Sequence, residues 1–195
     1  MNIKYIIMVA DNQERLANVK IIQKEIPNLC VYTGDNDNVF NKYINCLKIE
    51  SKYDGVVVLE DDIKLCENFY DKINLIIKSN PLDVISFFEK PNSKKELKTS
   101  YCNGYEFLFN QCNYYPKHIC ELFLNDNYIN EFKKSYFIKN KVWIAPIDLY
   151  MAFVLDKHNL KYLMNVPFLV QHLPFKSMLG NRSTKRQTKY FIDDI

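Results

Sequence analysis

The chain has 195 residues, of which 48% are hydrophobic and 25% charged, with a formal net charge of +3. This composition excludes general disorder, and the length suits a single domain around one substantial core. No apolar run approaches the roughly 18 residues of a transmembrane helix, and so small a net charge does not by itself require a polyanionic partner.

In chain order, Lys4 to Ala10 is a strand candidate. Its apolar stretch is interrupted by Tyr5 and ends at Asp11, which suits a strand better than a signal peptide. Apolar residues at Leu16, Val19, Ile22 and Ile26 then have helical spacing, predicting a helix over Asn12 to Ile26. Leu29 to Thr33 is the second strand, Gly34 to Asn38 a loop that also caps a helix over Val39 to Ser51, and Val56 to Leu59 the third strand. A helix over Glu67 to Ser79 and a strand over Asp83 to Phe88 complete an alternation that predicts an α/β fold with a doubly wound, mostly parallel sheet flanked by helices. Beyond Lys90 the pattern changes. Pro91 to Ser100 is polar and lysine-rich, and Tyr101 to Tyr115 is aromatic without a clear period. Pro116 to Leu124 opens a helix, Asn125 to Asn130 is turn-like, and Leu149 to Leu155 is helical with Asp148 at or near its N-cap. Strands are expected over Lys161 to Met164 and Val166 to Val170, and residues 181–195 read as a basic tail. Residues 1–90 then form a half of the kind that commonly binds a nucleotide, and 91–180 a smaller second region of one domain.

Six cysteines, Cys30, Cys46, Cys66, Cys102, Cys112 and Cys120, include no C-x-x-C pair. Several lie in apolar segments, so reduced thiols and a cytoplasmic setting are expected, and structural zinc is not.

The densest chemistry lies at Gly55-Val-Val-Val-Leu-Glu-Asp-Asp62, a β-branched run that ends on three carboxylates. Continuous apolarity marks a strand buried on both faces, and the carboxyl end of such a strand is where open α/β sheets bind ligands. Adjacent carboxylates repel unless a cation, a proton or an arginine offsets them. Hard oxygen donors suit Mg²⁺ or Mn²⁺, held by one or two carboxylates together with substrate phosphates. The plainer alternative is a polar turn leading into the next helix.

Leu59-Glu60-Asp61-Asp62 resembles the acidic DXD motif of GT-A fold glycosyltransferases, with Glu in the first place, and Val166-Pro-Phe-Leu-Val-Gln-His172 is similar to a C-terminal signature of families with the Leu-Glu-Asp-Asp form. The resemblance implies a GT-A-like fold and transfer of a sugar from a nucleotide-sugar donor, a UDP-hexose, to an acceptor hydroxyl, with Mn²⁺ or Mg²⁺ as cofactor. It implies Asp62 and His172 as metal ligands, Glu60 near ribose or sugar hydroxyls, Asp61 in either role, and Asp148 as general base of an inverting reaction. Asp11 and Arg15 are expected to meet the nucleotide, with Asp35 and Asp37 as alternatives at the base edge. Lys176, Ser177 and Arg182 are expected to close over the diphosphate. Each of these residues also has a plain role as a turn, cap or surface group.

Tyr101, Tyr105, Phe107, Phe109, Tyr114 and Tyr115, with basic clusters at Lys94, Lys95 and Lys98 and at Lys176 to Lys189, leave two acceptor classes open: a glycan, or nucleic acid such as a hydroxylated base in a phage genome. Lys, Asn and Ile richness suits an AT-rich bacterial or phage genome. The rival readings are a nucleotidyltransferase, disfavoured because no glycine lies between Met1 and Leu29, and a non-catalytic glycan- or nucleic-acid-binding module. Oligomeric state is not encoded in any motif.

Overall fold

In the computed structural model, residues 1–10, 12–34, 38–88, 98–108, 110–140, 146–175, 188 and 190–194 are described. The elements run β1 (Ile3–Met8), α1 (Gln13–Glu25), β2 (Cys30–Tyr32), α2 (Val39–Cys46), β3 (Gly55–Glu60), β4 (Ile63–Leu65), α3 (Phe69–Ser79) and β5 (Val84–Ser86). They continue with β6 (Ser100–Asn103), β7 (Cys112–Pro116), α4 (Lys117–Phe123), α5 (Asp126–Asn140), α6 (Ile147–Lys157), β8 (Lys161–Met164) and β9 (Val170–His172).

Seven of the described strands form one sheet in the order β2-β1-β3-β7-β5-β8-β6, and β4 pairs with β9 in a separate ribbon. Val56 to Leu59 are fully buried, as a central strand covered on both faces requires. Alternation along β3 sends Val57 and Leu59 into a core with Val19 and Ile22 of α1, Ile26 at its C-cap, and Phe69, Ile73 and Ile77 of α3. Val56 and Val58 face the other way, into a core with Phe40 and Tyr43 of α2, Phe123 of α4 and Tyr150 of α6. The helices of both layers bury residues three to four apart, the spacing of one helical face. Truncating Ile73, which has no exposed surface, to alanine would cost about 2–5 kcal/mol.

The α/β architecture with helices on both faces is present, but the sheet is mixed rather than mostly parallel in its pairing. β1 pairs parallel with β2 and β3, and β5 with β8. β7 enters antiparallel between β3 and β5, and β6 lies antiparallel on β8. Cys112-Asn-Tyr-Tyr-Pro116 does not read as a strand because Asn and Pro are poor strand formers. Proline is tolerated there because it is the last residue of the strand, opposite Gly55, where the ladder ends.

Other boundaries differ for local reasons. The helix expected to reach Ser51 stops at Cys46, where Leu47 N–H bonds back to Ile44 O and closes the last turn. The turn expected over Asn125 to Asn130 is the start of α5: the Asn125 side chain accepts from Asn127 N–H at 3.0 Å, so the polar triplet is capping chemistry. Asp148 lies near the N-cap of α6, as expected, in the first turn of a helix that begins at Ile147 after Pro146. The strand expected over Val166 to Val170 is shifted to Val170–His172. Within the expected basic tail, Phe191 is fully buried and Thr188 nearly so. Gln171 fastens Thr188 with two bonds, Nε2 to Thr188 O at 2.8 Å and Thr188 N–H to Oε1 at 2.9 Å. The Asp193 carboxylate accepts from Glu67 N–H at 3.1 Å and 3.2 Å, so the chain returns and docks beside β9.

Candidate functional site

β3 ends at Glu60, and the bend that follows carries Asp61 and Asp62 away from it. Met8 opposes Glu60, and Met8 belongs to the core shared with α2 and α6, so the Glu60 side chain projects on that face. Asp61 turns toward α1. Its Oδ2 accepts from Ala10 N–H at 2.6 Å and its Oδ1 pairs with Arg15 Nη1. Asn18 ties the same turn down, donating from Nδ2 to the carbonyls of Asp61 and Ile63, each at 2.8 Å. Burial pushes the Asp61 carboxyl up from its ordinary range, while Ala10 N–H and Arg15 pull it down.

Asp62 shares Arg15, whose Nη2 lies 3.0 Å from its Oδ2. His172 Nε2 approaches the same oxygen at 3.4 Å. The β4–β9 ribbon makes this meeting possible: Ile63 opposes His172, and Leu173 N–H bonds to Asp62 O at 2.7 Å. Asp62 and His172, the two residues expected to share a metal, are thus adjacent, each only 7% exposed. Arg15, expected at the nucleotide, is 8% exposed and holds both aspartates.

Glu60 is half-buried, and its Oε2 accepts from Gln111 Nε2 at 3.2 Å, while Glu60 N–H donates to Gln111 O at 2.9 Å. Behind this pair lie Asn113, which donates to Asn110 Oδ1 at 3.4 Å, and the hydroxyls of Tyr43 and Tyr115, 2.9 Å apart. The amides of Asn110, Gln111 and Asn113 escaped the sequence reading. Their signal is three polar residues within four positions of an aromatic, otherwise buried stretch.

Asp148 sits in the first turn of α6, half-buried, and its Oδ1 accepts from Leu149 N–H at 2.9 Å. Tyr150 stacks near Phe40 at the start of α2, with centroids 5.3 Å apart. Leu155, near the other end of α6, presses on Gly104 so closely that a Cβ there would lie 2.5 Å away. Gly104 follows Asn103, which opposes Lys161 at the start of β8. Therefore α6 runs back along the sheet, and its first turn lies toward the edge that carries Glu60 to Asp62. Of the aromatic stretch, Phe107, Tyr114 and Tyr115 are core residues, whereas Tyr101 and Tyr105 are exposed. Asp11, Asp35, Asp37, Phe109, Lys176, Ser177 and Arg182 lie outside the described residues.

The donor set suits a divalent cation. Three carboxylates converge on this turn, and Arg15 pairs with two of them. Asp62 and His172 would offer one oxygen and one nitrogen to such an ion, which usually takes its remaining oxygens from water and substrate phosphates. No group of three or more His, Cys, Asp and Glu side chains converges as a ligand set among the described residues. No helix among them is long and apolar enough to cross a membrane.

No protein-family model matches the chain, and no curated protein is significantly similar to it in sequence. Among solved structures it is similar to the crystal structure of A197 from STIV, with 14% identity, a TM-score of 0.53, and coverage of 91% of this chain and 87% of that one. At that identity the likeness is one of fold, and it supports a coarse GT-A-like assignment.

Proposed function

We propose that the protein is a metal-dependent glycosyltransferase that moves a hexose from a UDP-sugar to an acceptor hydroxyl. The observation that carries this reading is the meeting of Asp62 and His172 at 3.4 Å, at the sheet edge where the acidic row ends. The GT-A-like fold supports it by analogy.

In this reading Asp62 and His172 hold Mn²⁺ or Mg²⁺. The ion, when bound, supplies Lewis-acid stabilisation of the charge on the departing nucleoside diphosphate. Arg15 holds Asp61 and Asp62 in place, so the ligand oxygen of Asp62 is positioned before substrate arrives. Asp148 takes the proton of the acceptor hydroxyl as its oxygen bonds to the anomeric carbon and the bond from that carbon to the diphosphate oxygen breaks, an inverting displacement. Asp11, with Asp35 at the base edge, contacts the nucleoside, and Lys176, Ser177 and Arg182 contact the diphosphate. The acceptor is a hydroxyl of a glycan or of a modified nucleic-acid base.

Incubation with a panel of nucleotide sugars, with and without Mn²⁺, tests the reading. Release of nucleoside diphosphate and a Mn²⁺-dependent rise in melting temperature are expected with at least one uridine donor. Absence of any metal-dependent stabilisation by a nucleoside diphosphate overturns it.

A further inference from the structure

Lys42 stands where local energetics disfavour it. It closes the first turn of α2, which carries no acidic residue, although the N-terminal turn of a helix prefers carboxylates and repels cations. A residue set against its local preference is expected where function requires it. The fold also makes room for this side chain. Gly34 has a φ of +52°, and a Cβ there would lie 3.0 Å from Lys42 Cγ and 2.6 Å from the Tyr32 ring, so the glycine opens the slot that the lysine stem occupies. The half-buried ammonium at its end is under-used. Its Nζ donates to Val9 O at 3.4 Å, longer than is usual for such a bond. Among the described residues it has no ion pair and no other hydrogen bond, although an ammonium carries three donors. Val9 O belongs to the peptide unit whose N–H, that of Ala10, donates to Asp61 Oδ2 at 2.6 Å. A trans peptide points its C=O and N–H in opposite directions. One peptide unit therefore separates the cation from the acidic turn, with Nζ at most about 8 Å from Asp61 Oδ2.

We propose that Lys42 binds a phosphate oxygen of the nucleotide donor. This rests on the transferase reading and deepens it by adding a donor contact from α2, outside the acidic row and outside the C-terminal segment expected to meet the diphosphate. A diphosphate brought to a row of carboxylates is repelled by them, and the repulsion needs positive charge on more than one side. A metal at Asp62 and His172 supplies one such charge, and Lys42 supplies another across the Val9–Ala10 peptide. On binding, the ammonium exchanges its long bond to Val9 O for a shorter, charge-assisted bond to phosphate.

Calorimetric titration of UDP in Mn²⁺ tests this, comparing the wild-type protein with Lys42→Met, Lys42→Gln and Lys42→Arg. Titration of Mn²⁺ alone, read by electron paramagnetic resonance of the free ion, accompanies it. Lys42→Met and Lys42→Gln should bind UDP about tenfold more weakly or worse, Lys42→Arg should recover most of that loss, and all four proteins should bind Mn²⁺ alike. Unchanged UDP binding by Lys42→Met overturns the phosphate contact and leaves the lysine as a fastener of α2 to β1. Equal UDP binding by the Gln and Arg variants overturns it too, because charge is then not what the site requires, as for a contact to a base carbonyl. Loss of Mn²⁺ binding in step with UDP also overturns it, since the lysine would then act through Ala10 and Asp61. Each of these results leaves the transferase reading standing, whereas failure of the wild-type protein to bind UDP overturns both. Melting curves of the three variants confirm that the comparison is between folded proteins.

Discussion

The two sides of the acidic turn differ in what they are built to do. On the α1 side Asp61 is enclosed: Ala10 N–H, Arg15 and the Asn18 clamp consume its surroundings. Asp62 shares that arginine but also meets His172, and Glu60, on the other face, meets Gln111, both partners from distant parts of the chain. Three consecutive carboxylates therefore divide into one enclosed by α1, one shared between α1 and β9, and one on the opposite face of the sheet. Chemical likeness along a sequence says little about shared work, because the strand ends between the first carboxylate and the second and the bend sends them to different partners.

The largest effect should follow from removing the shared cation. Arg15→Met leaves two buried carboxylates without their guanidinium and is expected to destabilise the fold by about 3–5 kcal/mol. A denaturation midpoint close to wild type would show that the α1 side is not the structural one. Next, Asp62→Asn keeps the shape of the side chain but removes a charge from the proposed metal ligand. Turnover should fall by about 100-fold or more, and retention of full activity would remove Asp62 from the chemistry. His172→Ala should act more gently, raising the Mn²⁺ concentration needed for half-maximal turnover by about tenfold. An unchanged Mn²⁺ requirement would make the 3.4 Å approach to Asp62 a packing contact only.

The smallest effect separates the dry core from the edge. Burial pushes the Cys46 and Cys120 thiols up to about 12 and Cys66 up to about 11, from an ordinary value of 9.0. A thiol whose folded pKa is raised stabilises the fold fully below pH 9, and that contribution is lost as pH rises through 11 to 12. Urea midpoints should therefore decline across that alkaline window. A flat profile would show that these thiols are not as enclosed as the packing around them indicates.

Much of the fold was legible locally. The β-branched run before Glu60 marks β3, and the apolar spacing of Val19, Ile22 and Ile26 marks the buried face of α1. The second half was harder to read, since β7 carries Asn113 and Pro116 within a strand buried throughout. Its place between β3 and β5 depends on pairing partners distant in sequence. For the site, Glu60 to Asp62 stand out as a motif, whereas Gln111 and Asn18 belong to no pattern and acquire meaning only through the atoms beside them.

By itself, the sequence determined that an apolar strand would end on a row of carboxylates, because hydrophobic burial and charge solvation are local properties of the residues concerned. Tertiary structure alone decided which of those carboxylates an arginine neutralises, which one meets a histidine and which one meets an amide. Those choices follow from the pairing register of β4 with β9 and of β3 with β7, and a register is set by the packing of the whole sheet.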